Sequence, residues 1–412
     1  MTNVVADVRA EAPNWNVAWT RDEGADRARQ LFRDSFAYEP ATVKSAPGRV
    51  TIIGEHTDYS SGLALTTVLD HRTYVGAARR DDDTVRVVST EARVAGTGIE
   101  MWTGKLADVA PGSVASWPAY AVGVLWALVE RGFVGSGIDI AIDSCVPMGV
   151  GLASSGALTA AVALAADACW GLALDSDAGR IELAELCQEA ESTFVGVPTA
   201  GLDQHTVLRC RPGEALLIDF RSPPPRAYPH PLYFPEYGLT LLIINTRAPH
   251  DFSDGQYAER WAACQAACAE LNVGSLREVA DAPHALRRVD GITEEVTRKR
   301  ARHVVTEIER VRLVSAELSG TAPAHERFVT IGKALYRSHA SLDVDYEIST
   351  PALNDAVDAA FRAGALGARL LGGGYGGCAM ALVRRTQVQR TAELIADAFA
   401  QAGHEPPEFL MS

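Results

Sequence analysis

Between Thr20 and Phe36 apolar side chains fall at Ala25, Ala28, Leu31 and Phe32, a spacing that lines one face of an α-helix. The period then changes. Val43 to Ile53 reads as an extended segment broken by Pro47 and Gly48. Two β-branched runs, Thr73 to Ala78 and Val85 to Ser89, flank the polar turn Arg79 to Asp83 and predict a hairpin. Trp117 to Val129 returns to helical periodicity, whereas Ile138, Ile140 and Ile142 alternate with polar or small residues, as in a half-buried strand. Leu152 to Trp170, rich in Ala and Leu, predicts a buried helix, and Ile181 to Phe194 a second one.

Further along, the strand-like Ala215 to Phe220 runs into Ser222-Pro223-Pro224-Pro225. A Pro-rich polar segment suits a domain boundary, so the chain divides into units 1–213 and 214–412. Leu239 to Asn245 is the next strand. A long helix follows from Glu294 to Leu318, with Val304, Ile308, Val311 and Leu318 on one stripe. Leu366 to Leu371 and Cys378 to Val383 read as strands around a glycine loop, and Thr386 to Ala400 as a closing helix.

Composition narrows the functional classes. At 412 residues the chain exceeds what one hydrophobic core usually serves, which favours two packed domains. Its formal charge of −14 argues against a nucleic-acid partner, because phosphate-backbone binding needs a basic footprint. A small anion such as ATP needs only a few local donors and one metal ion. The seven cysteines are odd in number and scattered among apolar neighbours, as free thiols are in a reducing cytoplasm. Cys264 and Cys268 share a helix face, but no second pair or histidine completes a zinc pattern. Asp7, Arg9 and Glu11 interrupt the only candidate signal segment, and the longest apolar stretch, Ala160 to Ala166, is far short of the roughly 20 residues that span a bilayer. A soluble cytoplasmic protein without a membrane partner is the expectation.

Three loops carry candidate chemistry. Gly149-Val150-Gly151-Leu152-Ala153-Ser154-Ser155 precedes the Ala-rich helix; its glycines admit a ligand close to the backbone, and the helix start supplies unpaired N–H groups. It is read as an anion site, with a serine hydroxyl as a hard donor for Mg²⁺; a plain turn with serine caps is the alternative. No Gly-Lys-Ser/Thr ending exists, which excludes a Walker A loop. The second loop, Gly372-Gly373-Gly374-Tyr375-Gly376-Gly377, contains a formal G-x-G-x-x-G but runs into a strand, so the dinucleotide reading fails. Its glycine density points to close approach of backbone to a ligand or to the first loop; a mere turn is the alternative. The third, Gly48 to Tyr59, gathers Arg49, Glu55, His56 and Asp58, and a carboxylate there can accept hydrogen bonds from a polyol's hydroxyls; a salt-bridged surface turn is the alternative. Asp203, in Ala200-Gly201-Leu202-Asp203-Gln204-His205, is by itself only a turn or cap residue.

Together these segments resemble the galactokinases of the GHMP kinase superfamily, from about Phe36 to Val383. Pro47 to Val50 with Gly54 to Tyr59 resembles the galactokinase signature, Gly149 to Ser155 the phosphate motif, and Gly372 to Gly377 the C-terminal glycine motif. Phe194 to Pro198 leading to Asp203-Gln204, Arg300 to Val305, Ser338-His339 and Tyr346 to Pro351 also match in order. The resemblance implies an α/β (α+β) two-domain fold: an N-terminal domain like domain 2 of ribosomal protein S5, a ferredoxin-like C-terminal domain, and an active site in the cleft between them. It implies transfer of the γ-phosphate of ATP to the anomeric hydroxyl of α-D-galactose.

By the same resemblance Asp203 would be the base facing the sugar O1, with Arg49 paired to it and offsetting charge on the transferring phosphoryl group. Glu55, His56, Thr57, Asp58 and Tyr257 would bind the sugar. Gly149, Val150, Gly151, Leu152, Ala153, Ser154 and Ser155 would wrap the ATP phosphates, and Ser155 and Glu191 would ligate Mg²⁺. Trp117 and Tyr120 either border the adenine or belong to the core. The partners would be galactose and MgATP, and the chain a monomer. Ala200 and Leu371 depart from the family pattern beside the expected sites. Two other functions stay open: a galactose and ATP sensor without turnover, and a sibling kinase acting on N-acetylgalactosamine or arabinose. Arg49, Asp203, Ser155 and Glu191 together argue against the sensor, which needs no base.

Overall fold

The computed structural model describes residues 12–90, 101–248 and 255–412; the candidate signal segment at Asp7 to Glu11 lies outside them. In chain order the strands are β1 (Asn14–Trp15), β2 (Thr42–Ile53), β3 (Leu63–Arg79), β4 (Thr84–Ser89), β5 (Met101–Lys105) and β6 (Ile138–Ser144). Then come β7 (Glu214–Asp219), β8 (Arg226–Pro231), β9 (Leu239–Asn245), β10 (Gly367–Leu370), β11 (Cys378–Arg384) and β12 (Glu408–Met411). One sheet runs β5-β4-β6-β3-β7-β8 with β2 paired to β3, and the other runs β1-β12-β9-β11-β10. These two sheets, each with its own helices, make the two-domain α/β arrangement that the resemblance implies. Residues 214–231, which a boundary at 213/214 assigns to the second unit, form β7 and β8 of the first sheet.

The first helix spans Arg21–Phe36. Thr20 caps it by accepting from the Glu23 amide, and Gly24, Ala28, Phe32 and Phe36, four residues apart, form its buried stripe. The hairpin expected across Arg79 to Asp83 does not form, because β6 lies between β3 and β4, antiparallel to one and parallel to the other. A buried carboxylate fastens that insertion: Asp139 of β6 accepts from Arg80, Arg86 and Tyr38, the Arg86 Nε bond being 2.7 Å. Nor is β6 half-buried. Ile138, Ile140 and Ile142 pack under the helices Pro118–Glu130 and Ser154–Trp170, while Ala141 packs with Phe32 and Phe36 on the opposite face.

In the second half the long helix Glu295–Ser319 packs with the helix Ala324–Val344, and both contribute to one core with the second sheet. That core is continuous with Val50, Ile53 and Leu63 of the first sheet, which meet Val304, Ile308 and Val311 of the long helix. The two lobes are thus welded beneath the loops that follow β2 and β10. No helix among the described residues is long and apolar enough to cross a membrane.

Candidate active site

Helix Ser154–Trp170 starts from a loop bent by positive φ at Gly149, Gly151 and Ala153 (68°, 84° and 59°). The loop carbonyls are engaged: Val150 accepts from the Cys378 amide at 3.1 Å, Leu152 from the Arg49 amide at 3.0 Å, and Gly151 from Arg49 Nη1 at 2.7 Å. What it keeps for a ligand is its N–H groups, at the positive end of the helix. Arg49 is buried on β2, just after Gly48, where the β2–β3 register shifts and the loop docks. Its Nε and Nη2 both reach Asp203 Oδ1, at 2.7 and 2.5 Å, and no guanidinium hydrogen bond goes to Oδ2. Asp203 opens the helix Leu202–Arg209, and Gly156 lets it approach, since a Cβ there would sit 2.9 Å from the Asp203 Cβ.

The second glycine loop lies on the first, backbone to backbone. A Cβ on Gly372 would fall 2.6 Å from the Gly151 Cα, and one on Gly377 2.8 Å from the Val150 oxygen. Its glycines therefore serve loop-to-loop contact. Gly372→Ala, at φ +68°, should destabilise the protein by about 1–3 kcal/mol and raise the KM for ATP more than that for sugar. Urea denaturation and initial rates check this, and an unchanged midpoint with an unchanged KM would show that the loops part freely.

After β2 the chain turns through Gly54 (φ +107°) and His56 (φ +60°) into a short 3₁₀ turn at Asp58–Ser60. Glu55 is buried, and its Oε1 accepts the Gly372 amide at 2.7 Å with Arg369 Nη2 3.7 Å away. Burial raises its pKa against the pull of Arg369 and Arg49. Burial and the neighbouring Glu55 and Asp203 carboxylates push Asp58 up to about 7, against the Tyr59 amide. The Tyr257 phenol is raised well above its ordinary range by burial and then by Asp58, Asp203 and Glu55, so these four groups lie within electrostatic reach of one another. Tyr257 also packs against His56 and Tyr59, and Tyr59 stacks on Trp261 at 5.1 Å.

Two of the expected sugar residues need adjustment. Thr57 is fully buried, and its hydroxyl lies against the carbonyls of Leu63 (2.7 Å) and Gly54 (3.1 Å); it closes the turn and has no proton to offer a sugar. His56 is held neutral, burial and then His303 pushing it down to about 3. Its Nδ1 is 2.9 Å from the Tyr59 hydroxyl, itself 2.6 Å from that of Tyr346. Its Nε2 reaches only the Gly373 carbonyl at 3.4 Å, the one long bond of the set and the one a ligand can exchange.

The oxygen donors beside the phosphate loop suit a hard divalent cation. Glu191 lies buried in a π-helical segment, Ala190–Val195, that continues the helix Asp177–Glu189. Burial and then Asp203 push its carboxyl up to about 7, against the pull of Gln204, Ser155 and Thr159, of which Gln204 and Thr159 donate hydrogen bonds to its Oε1. Gln204 Oε1 is buried without a partner. No group of three or more His, Cys, Asp or Glu able to hold a metal occurs among the described residues. Tyr120 lies near enough for Glu191 to raise its phenol further, after burial, and Trp117 packs against the core of that lobe with its indole Nε1 unpaired.

The motif reading missed the groups that hold the sugar loop from below. Glu307 of the long helix is fully buried and accepts the Gly54 amide at 2.9 Å and the Ser338 hydroxyl at 2.7 Å. Burial opposes its charge, but Arg310, His303 and Arg369 overcome it and hold Glu307 at about 2. His303 approaches the Glu55 carbonyl at 3.2 Å, and Arg369 donates to the carbonyls of Thr51 and Ile52 at 3.1 and 3.2 Å. An acid or base at a stripe position of an apolar helix face, as at His303 and Glu307, was the available signal.

Comparison with known proteins agrees with this geometry. The profile "Galactokinase galactose-binding signature" matches residues 30–79, "GHMP kinases N terminal domain" residues 119–210 and "GHMP kinases C terminal" residues 321–404. The chain is 42% identical over 381 residues to a galactokinase of Streptomyces coelicolor, covering 92% of this chain and 94% of that one. It is 40% identical over 362 residues to a galactokinase of Streptomyces lividans, covering 87% and 86%. The crystal structure of a Lactococcus lactis galactokinase complexed with galactose superposes with a TM-score of 0.81 at 27% identity, covering 94% of this chain and 97% of that one.

Proposed function

This chain belongs to the galactokinase family of the GHMP kinase superfamily, and from that premise we propose a role for each group in the cleft. The protein is an ATP-dependent sugar kinase that phosphorylates galactose to galactose 1-phosphate. In our reading Asp203 Oδ2, the oxygen free of Arg49, accepts the proton of the sugar O1 hydroxyl as that oxygen bonds to the γ-phosphorus and ADP departs. Arg49 fixes the carboxylate through Oδ1 and lends positive charge beside the transferring group. Phosphoryl transfer needs in-line positioning and charge neutralisation more than covalent catalysis, and these residues supply both.

Glu55, Asp58, Tyr257 and the exchangeable Nε2 of His56 hold the sugar hydroxyls. The amides of Gly149 to Ser155 hold the ATP phosphates. Ser155, Glu191 and the unpaired Gln204 Oε1 would hold Mg²⁺, which when bound neutralises phosphate charge. The observation that carries this reading is the Arg49–Asp203 pair set against the phosphate loop. Galactose-dependent ADP release by the purified protein, run over a panel including glucose, N-acetylgalactosamine and arabinose, tests it; tight binding of galactose and ATP without ADP release would make the protein a sensor. The chain acts as a monomer on soluble substrates, and its seven free cysteines suit the reducing cytoplasm.

Ser155→Ala should raise the Mg²⁺ concentration for half-maximal activity by about tenfold or more, while galactose binding stays within about twofold. Rates across a Mg²⁺ series and a sugar-binding titration separate the two. An unchanged Mg²⁺ midpoint would leave Ser155 as a first-turn helix residue only.

A further inference from the structure

Apart from the cleft, a cavity of about 660 Å³ opens between β2, β3 and the helices that follow, and none of its lining belongs to the sugar loop, either glycine loop or Asp203. Five arginines line it: Arg21, Arg72, Arg180, Arg209 and Arg211. We propose that this cavity is a second anion site of the protein, built for a phosphate monoester of a small molecule.

The charge balance is the first argument. In a chain of formal charge −14, the lining carries five arginines against three carboxylates, those of Asp175, Asp177 and Glu214. The one ion pair within the lining, Arg211 to Asp177 at 3.9 Å, joins side chains that are 73% and 97% exposed, so it neutralises little. Among the described residues no carboxylate lies within ion-pair distance of Arg21, Arg72, Arg180 or Arg209.

The partners these arginines do have are neutral. Arg72 donates from Nε and Nη2 to the hydroxyl and carbonyl of Ser45, both at 3.0 Å. Arg209 Nη1 reaches the Pro225 carbonyl at 2.9 Å and lies 3.1 Å from His205 Nδ1. Arg72 Nη1 and the Nε and Nη2 of Arg209 therefore remain for a ligand. Burial and then the nearby Arg21 lower Arg72 to about 10, and burial lowers Arg209 against the pull of Asp177, so both guanidinium groups are held partly out of water. A dianion with three acceptor oxygens offsets that cost, and arginine forks match its geometry. The volume lies within the roughly 300–1,000 Å³ of small-molecule sites, so there is room for more than a bare phosphate.

The position adds weight. Helix Leu202–Arg209 carries Asp203 at its start and Arg209 at its end, so the anion bound here is not the one transferred in the cleft. The test is a calorimetric titration of the whole protein with its cleft saturated by galactose and a non-hydrolysable MgATP analogue. The titrants, in separate runs at low salt, are α-D-galactose 1-phosphate and inorganic phosphate. One further equivalent should bind, weakened about tenfold or more in Arg209→Gln and in Arg180→Gln, the loss expected for one charge-assisted contact. Tighter binding of the sugar phosphate identifies an ester as the ligand, and equal binding identifies free phosphate. Arg180 makes no side-chain hydrogen bond among the described residues, so its variant reads out the site even where Arg209→Gln disturbs its helix. The absence of a second equivalent, or equal affinity in both variants and the parent, overturns the proposal. Because the readout is binding with the cleft occupied, its failure is distinct from failure of the catalytic assignments.

Discussion

Asp203→Asn is expected to lower kcat by about 10²-fold to 10⁴-fold, the range for loss of a general base, with ATP affinity and thermal stability close to those of the parent. Asparagine has the same shape and keeps an oxygen to accept from Arg49, so the helix start beside Gly156 stays packed. What it loses is the charged oxygen opposite Arg49 that takes the proton from the sugar. Single-turnover rates and nucleotide binding check both halves. A variant retaining at least half of the parent's turnover at saturating substrate would remove Asp203 from the role of base.

Galactose should be preferred over glucose by about 10³-fold or more in kcat/KM, and Asp58→Ala should reduce galactose use steeply while narrowing that ratio. The two sugars differ only in the orientation of the 4-hydroxyl. A site that hydrogen-bonds a hydroxyl can discriminate by about 10⁴-fold to 10⁵-fold, whereas shape alone gives about 10-fold to 200-fold. Asp58 and Tyr257 are half-buried within electrostatic reach of Glu55 and Asp203, so a hydroxyl that misses them leaves groups poorly paired and poorly hydrated. The same residue gives a pH signature. Burial holds Asp58 up to about 7 in the free protein, and a hydroxyl donated to it favours the ionised form. Galactose affinity should therefore weaken as pH falls through about 7, and this dependence should vanish in Asp58→Asn. Glucose used within about tenfold of galactose, or an unchanged ratio in Asp58→Ala, would remove this loop from sugar recognition.

Local information fixed much of this protein in advance. The spacing of Ala25, Ala28, Leu31 and Phe32 indicates the first helix, of which Ala28 and Phe32 prove buried, and Leu239 to Asn245 is a strand by composition alone. The glycine and serine loops were legible as loops because positive φ and helix starts select those residues whatever surrounds them. Their order along the chain was enough to indicate the family.

The tertiary structure decided what depends on non-local pairing. A turn at Arg79 to Asp83 predicts reversal but not the neighbour, and β6, more than 50 residues on, takes the place between β3 and β4 because Asp139 there binds Arg80 and Arg86. Periodicity cannot distinguish a strand covered on one face from one covered on both when its second face carries Ala141 and paired aspartates. The role of Thr57 changed because a buried hydroxyl takes the nearest carbonyl, and that of Leu63 lies across the turn. Glu307 and Arg369 stayed invisible as site residues because their partners, Gly54 and the backbone at Thr51 and Ile52, are some 250 and 320 positions away. A sequence displays side-chain chemistry and local spacing; which charges end up buried against which distant backbone is fixed only when the two lobes pack.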